Sequence, residues 1–240
     1  MFERPHHQRI AHILDALDGS LLTHLGCYFG GGTCISLRFG EFRESVDIDF
    51  LTDDADGYRE LRQRLSSTDG LNALLRAGAR LLRTRGDMRI DQYGIRTRIE
   101  MDGAAIRFEV VREARITLEA PGDKDAVCGI PTLTIGDLAT SKLLANSDRH
   151  ADDGVFSRDL IDIAMMQLRL PILRSALEKA SGAYGKAVAR DLELAISRMQ
   201  LRQGWLDRCM HAMDIRVPKA LLWQRIRALR RVLVPAQVRD

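Results

Sequence analysis

A chain of 240 residues, 45% hydrophobic and 29% charged, holds enough apolar material for one large or two small cores, which excludes a disordered protein. No run approaches the roughly 20 apolar residues that cross a bilayer, and the start, MFERPHHQRI, lacks the apolar region of a signal peptide, so a cytoplasmic protein without membrane contact is expected. The net charge of +3 divides unevenly at Pro171: residues 171–240 carry 14 Lys+Arg against 6 Asp+Glu and residues 1–170 carry 22 against 27, an imbalance compatible with an acidic partner such as RNA.

In chain order, His6 and His7 stand at a polar terminus with no third ligand nearby and are expected to be solvated. Apolar residues then recur as Ile10, Ile13, Leu14, Leu17, Leu21 and Leu22, the spacing of an opening helix over 9–25. CYF at 27–29 reads as a short strand running into Gly30, Gly31 and Gly32, and Thr33–Arg38 is long enough for one or two helical turns. VDIDFL at 46–51 alternates with the period of a strand.

Residues 58–82, rich in Leu, Arg and Ala, predict helix with a break at Thr68-Asp69-Gly70. Three strands follow over 88–93, 95–101 and 106–111, the last two joined by the hairpin signal Asp102-Gly103. From about Leu133 every segment reads as helix: 136–149, 156–169, 171–180, 184–200, 203–212 and 218–233. The architecture expected is α+β, an α/β core over 1–132 followed by a helical domain over 133–240 that packs with it across a cleft. Cys27, Cys34, Cys128 and Cys209 are scattered without zinc-ligand spacing and read as small core or surface residues.

The chemistry-bearing residues gather in FGGGTCISLRFGEFRESVDIDFL. On a strand, Asp47 and Asp49 project from one face while Ile48 and Phe50 take the other. Adjacent carboxylates repel, and a solvated strand edge would more often use Lys or Thr; a divalent cation that takes one or two carboxylates plus substrate phosphates removes the repulsion. Gly-Gly-Thr leading into a helical turn offers amide N–H groups and a hydroxyl to a triphosphate, although it could serve only as a turn. Glu109 interrupts the apolar strand IRFEVV, which could lie beside the first in an antiparallel sheet; Glu100 is its rival as third carboxylate, and a surface salt bridge to Arg107 or Arg112 is the plainer reading.

These residues carry a resemblance. GGTCISLRFGEFRESVDIDF resembles the signature of the nucleotidyltransferase superfamily, and the GGT, Arg43, Ser45 and DIDF elements are similar to those of its AbiEii/AbiGii toxins of type IV toxin–antitoxin and phage-abortive systems. DLATSKLLANSDRHADDGVFSRDLIDI at 137–163 is similar to that family's second signature. The resemblance covers about residues 25–165. It implies a polymerase-beta-type mixed sheet, with Asp47 and Asp49 binding Mg²⁺ or Mn²⁺ and Glu109 as their third carboxylate. It further implies that Gly31, Gly32, Thr33 and Ser45 hold phosphate, that Lys142 contacts nucleotide phosphates and that Asp159 belongs to the active site. The implied substrates are an NTP and an RNA acceptor, especially the tRNA acceptor end, with a cognate antitoxin as possible protein partner. The sequence departs from the pattern by one extra residue in FGEFRES and by the long SDRHADDGVFS connection.

The second signature also has a reading of its own. Lys142 and Arg149, seven apart on a helix, share a face and could neutralise a triphosphate, as Asp159 and Asp162 share another. Against this stands ordinary helix-start electrostatics, with Ser157 as N-cap and Asp159 in the first turn. His150 reads as a residue of a flexible polar loop. Arg225, Arg227, Arg230 and Arg231 in WQRIRALRRVLV read as snorkelling residues of an amphipathic closing helix that could also guide an RNA backbone. Two alternatives remain at this point: a non-catalytic module binding RNA or a partner through the basic helices, and a haloacid-dehalogenase-type phosphatase, which would want its Asp strand near the start of a parallel sheet.

Overall fold

In a computed structural model that describes residues 2–234, the chain divides into two compact units, up to Ile135 and from Gly136 onward. Among the described residues no helix is long and apolar enough to cross a membrane.

The first unit opens with α1 (Pro5–Ala16) and α2 (Gly19–His24), two helices where the spacing predicted one. The break falls where Asp18 leaves helical geometry and its carboxylate accepts from the Leu21 amide as N-cap of α2. There follow β1 (Tyr28–Gly30), α3 (Gly31–Arg38), β2 (Ile48–Thr52) and α4 (Ala55–Leu65). The helix expected over 58–82 ends early, in a single 3-10 turn over Gly70–Leu74, and Gly78 at φ +76° adopts backbone that a helix cannot contain. Strands β3 (Arg83–Thr84), β4 (Arg89–Ile90), β5 (Gly94–Met101) and β6 (Ala104–Arg112) then complete the main sheet, and the small pair β7 (Ala126–Val127) and β8 (Ile130–Pro131) lies outside it.

The sheet is mixed, in the order β1-β2-β6-β5-β3, with β4 also paired to β5. Hairpin β5–β6 closes through Asp102 and Gly103, both left-handed, as the Asp-Gly signal requires. One expectation is corrected: β2 and β6 run parallel, with Asp49 opposite Glu109, because β6 is reached by a crossover through α4 and the β3–β5 strands. Strand β2 thus sits between antiparallel β1 and parallel β6, unlike the parallel start of a dehalogenase-type sheet.

Alternation assigns the two faces of the sheet. Ile48, Phe50, Ile95, Ile99, Ile106, Phe108 and Val110 are fully buried on one, where Phe29, Phe50 and Phe108 form a chain of rings 5.6 and 5.5 Å apart. The other carries Asp49, Glu109, Arg107, Arg96 and Arg98. Beyond the sheet, Arg38 at the end of α3 donates to Thr132 Oγ1 (2.7 Å), Leu133 O (3.0 Å) and Asp125 (2.9 Å), tying the closing segment of the unit to α3. Cys27, Cys34 and Cys209 are buried, and burial pushes the Cys34 thiol up to about 12.

The second unit consists of helices: α5 (Ile135–Arg149), α6 (Arg158–Met165), α7 (Leu170–Tyr184), α8 (Ala187–Leu201), α9 (Trp205–Ala212) and α10 (Lys219–Ala228), with 3-10 turns at Asp153–Val155 and Leu229–Val232. Leu160, Ile161, Leu173, Leu192, Ile196, Leu222 and Ile226 build its core.

Candidate active site

The glycine cluster forms the corner between β1 and α3. Gly31 has φ +68°, and a Cβ there would lie 2.5 Å from Asp49 Oδ2, so a residue without a side chain is what admits the Asp49 carboxylate against the first residue of α3. A Cβ on Gly32 would lie 2.2 Å from Arg43 Nη2 and 3.3 Å from Ser45 Oγ. The first amides of α3 have no intrahelical acceptor, and the helix dipole favours negative charge at this end. Thr33 Oγ1 donates to Ser45 Oγ at 2.9 Å, which brings the two hydroxyls expected to hold phosphate into contact.

The loop from Phe39 to Asp47, with its extra residue, is pinned along its length. Ser36 Oγ donates to Arg43 O (2.6 Å), and buried Arg43 donates to Glu44 O (2.8 Å). The expectation that His7 is solvated is corrected, since it is fully buried; its neighbour His6 stays partly exposed, with Nε2 3.1 Å from Val46 O. The Ser45 amide donates to His7 Nε2 (3.1 Å), which leaves the ring proton on Nδ1 facing Glu41 Oε1 at 2.7 Å. Glu41 in turn accepts from the amides of Glu3 and Arg4 at the head of α1. Burial lowers the His7 pKa against the opposing pull of Glu41, so the ring is held neutral. The segment delivering Asp47 is therefore fixed from α1, through pairs 38 and 34 residues apart.

On the charged sheet face, register settles which glutamate adjoins the aspartates. Glu109 is the direct neighbour of Asp49, whereas Glu100 pairs with Ala105, four residues and about 13 Å further along β6. Glu109 is buried, and its two oxygens accept from Arg96 Nε (2.6 Å) and from Arg107 Nη2. Arg107 also lies 3.9 Å from Asp49 Oδ1. Partial burial works against its charge, but Glu109, Asp47 and Asp49 outweigh that and raise its pKa.

A family of this resemblance implies a divalent cation, and the donor chemistry fits one. Asp47 and Asp49 are hard oxygen donors, half exposed and displayed on one side of the sheet, as a Mg²⁺ site completed by substrate phosphates and water requires. Among the described residues no three His, Cys, Asp or Glu side chains are gathered tightly enough to hold a metal alone, and Glu109 has both oxygens on arginines.

The second signature forms its own cluster, inside the second unit. Lys142 on α5 donates to Asp159 Oδ1 (2.9 Å) and lies 2.7 Å from Asp162 Oδ2, while Arg149 donates to both oxygens of Asp159 (2.7 and 3.0 Å). Lys142, Asp159 and Asp162 are all buried. Burial alone would raise the Asp159 pKa; Lys142 and Arg149 overcome it and hold the carboxyl well below the usual range. Two cations and two carboxylates thus neutralise one another. Ser157 occupies the N-cap position of α6 but in left-handed geometry and with no capping bond, its hydroxyl instead accepting from Trp205 Nε1 at 2.9 Å. The SDRHADDGVFS connection is held by Asp153, which accepts from Arg198 and Arg202. At the C-terminal end Arg230 donates to Glu193 and Gln200 and Arg231 to Leu168 O, the internal role expected of an amphipathic closing helix.

Glu41 and Arg96 had no place in the sequence reading, His7 was read as solvated, and Arg107 was named there only as a salt-bridge partner of Glu109, which it is. The period-2 spacing of charge in Arg96-Thr97-Arg98 and Arg107-Phe108-Glu109 was the available signal for the arginines.

Two solved structures, both from Helicobacter pylori, resemble the chain: a candidate nucleotidyltransferase (16% identity, TM-score 0.50, covering 95% of this chain and 94% of that one) and JHP933 (15% identity, TM-score 0.48, covering 97% and 95%). At such identity the first bears on the fold alone. No curated protein matches. The family model described as "Nucleotidyl transferase AbiEii toxin, Type IV TA system" matches residues 13–230, nearly the whole chain and both signatures, so the chain belongs to the AbiEii toxins and is a nucleotidyltransferase.

Proposed function

We infer that the enzyme transfers a nucleoside monophosphate from an NTP to a hydroxyl group of RNA, with the acceptor end of tRNA as the preferred substrate. The observation that carries this reading is the Asp49 carboxylate lodged against the side-chain-free corner at Gly31, beside Asp47 and at the amide end of α3. The arrangement offers a cation grip and a phosphate cradle in one place.

Asp47 and Asp49 would hold Mg²⁺ or Mn²⁺, which supplies charge neutralisation and Lewis acidity at the α-phosphate when bound. The amides of Gly31, Gly32 and Thr33, with the paired hydroxyls of Thr33 and Ser45, bind phosphate oxygens. The acceptor hydroxyl attacks the α-phosphorus, the bond to the β-phosphate breaks, pyrophosphate leaves, and the hydroxyl proton passes to a carboxylate. Glu109 acts as organiser of Arg96 and Arg107 beside the aspartates, and as a third carboxylate toward the cation only once those arginines turn to substrate. The family's second signature implies that Lys142 contacts nucleotide phosphates, and its head group and that of Arg149 are set in advance by Asp159 and Asp162. Membership of a type IV toxin–antitoxin family implies a cognate antitoxin, and cellular toxicity is the expected biological output.

The test is incubation of the pure protein with Mg²⁺ or Mn²⁺, total RNA and each α-labelled NTP in turn, beside Asp47→Ala/Asp49→Ala. Label entering RNA only with both aspartates intact supports the reading and names the nucleotide. Label entering protein redirects it to protein modification. If no NTP yields transfer although RNA binds, the mechanism is abandoned for a binding role.

A further inference from the structure

The charged face of the sheet extends beyond the residues assigned above to the nucleotide. Pairing of β3 with β5 sets Arg83 opposite Glu100 and Thr84 opposite Ile99, and the next step along, marked by the Arg85 amide donating to Arg98 O at 2.8 Å, brings Arg85 beside Arg98. Arg98 is directly opposite Arg107. Continuing the β2–β6 register one residue past Ile48 opposite Phe108 brings Asp47 beside Arg107. One straight row therefore crosses the sheet from its edge: Arg85, Arg98, Arg107, Asp47. At the spacing of paired strands it is about 14 Å long.

The rows on either side are compensated. Arg83 faces Glu100 on one, and on the other Arg96 is bonded to Glu109 and lies 3.4 Å from Asp91, which also lies 3.5 Å from Arg89. In the arginine row only Arg107 reaches a carboxylate; neither Arg85 nor Arg98 forms an ion pair with any described residue. Like charges directly opposite on a sheet destabilise it, and three in line, two of them without a counter-charge, have no structural benefit of their own. They open onto a cavity of about 340 Å³ that Asp87 and Glu109 also line.

We propose that this row is the binding track for the phosphodiester backbone of the acceptor RNA, which enters over the β3 edge and is led by Arg85, Arg98 and Arg107 to the aspartate pair. A single triphosphate seated at α3 and Asp49 would reach only the inner end of the row, whereas a polymer can occupy its whole length out to the open edge. The inference rests on RNA being the acceptor. It also relocates RNA contact from the basic C-terminal helices, where Arg230 and Arg231 are spent on internal bonds, to the first unit.

The experiment measures equilibrium binding of 5′-labelled total tRNA by anisotropy over about 50–200 mM salt, for the native protein, Arg85→Ala/Arg98→Ala, and a charge-matched control, Arg59→Ala/Arg64→Ala, on exposed α4. The row variant is expected to bind about tenfold or more weakly near 0.1 M salt, with the log–log salt slope smaller by about 1.4 for two lost single-strand contacts. The control should match the native protein, and KM for the NTP should not change. Equal loss in both variants, or no loss in either, overturns the track; a raised KM for NTP with unchanged tRNA binding assigns the row to the nucleotide instead. Because binding is read without turnover, the two failures are distinguishable: row-dependent affinity in a protein that labels no RNA refutes RNA as acceptor and with it a path to the aspartates, whereas RNA labelling with row-independent affinity overturns the track alone.

Discussion

Replacing Gly31 by Ala separates two effects that a glycine usually confounds. At φ +68° any L side chain meets a backbone penalty of about 1–2 kcal/mol. Gly40 meets the same penalty at φ +83° but has nothing within 4 Å of its would-be Cβ, so Gly40→Ala serves as the backbone-only reference. At Gly31 the methyl would stand 2.5 Å from Asp49 Oδ2 and 2.9 Å from Asp49 Cβ, where ordinary contact begins near 3.4 Å. The carboxylate must withdraw by about 1 Å, and misplacement of that size in a reacting array costs about 100-fold in rate. Overpacking adds about 1–3 kcal/mol to the backbone term. Urea titration should therefore show Gly40→Ala destabilised by about 1–2 kcal/mol and Gly31→Ala by about 2–5. Initial rates of labelled nucleotide transfer should be near native in the first and about 100-fold lower in the second. A Gly31→Ala enzyme that is as fast as Gly40→Ala would remove Asp49 from the reacting array.

His7 is neutral and buried, with its pKa below 6.5, so its stabilising contribution is full above pH 6.5 and is lost as pH falls through the lowered value; His7→Gln should flatten the decline in stability below pH 6.5 seen in the native protein. Asp159→Ala leaves Lys142 and Arg149 facing a vacated acceptor in a buried cluster, a change expected to cost about 3–5 kcal/mol in urea unfolding, whereas removing the exposed pair Arg64–Glu60 should cost less than about 1. Phe50→Ala opens the ring chain between Phe29 and Phe108 and should cost about 3–5 kcal/mol, measured by the same titration.

Local features were the ones legible in sequence. Asp47-Ile48-Asp49-Phe50 announces its strand because alternation is a property of neighbours, and Asp102-Gly103 announces its turn because two left-handed residues in sequence demand such chemistry. The parallel pairing of β2 and β6 was not legible, since strand direction depends on a crossover of more than fifty residues rather than on either strand's composition. Arg76 to Leu82 looked helical by composition, and a single left-handed Gly78 decided otherwise. His7 was misplaced because its partners, Glu41 and Ser45, become neighbours only when α1 packs on the loop. Lys142 and Asp159 were each singled out, but their mutual neutralisation needs the α5–α6 geometry. The arginine row is invisible until three registers are known.

The outer edge of the sheet has one more consequence. Where a long strand such as β5 would otherwise lie open, it is covered by two strands of two residues each, β3 and β4, separated by Arg85-Gly86-Asp87-Met88 with Gly86 at φ +78°. Neither fragment is long enough to template a strand from another molecule, and the arginines beside the gap repel a second copy of the same edge. Charges suited to gripping a polyanion therefore also keep the free protein from polymerising through its own β-sheet, and variants that strip them for activity measurements should be watched for self-association as closely as for lost binding.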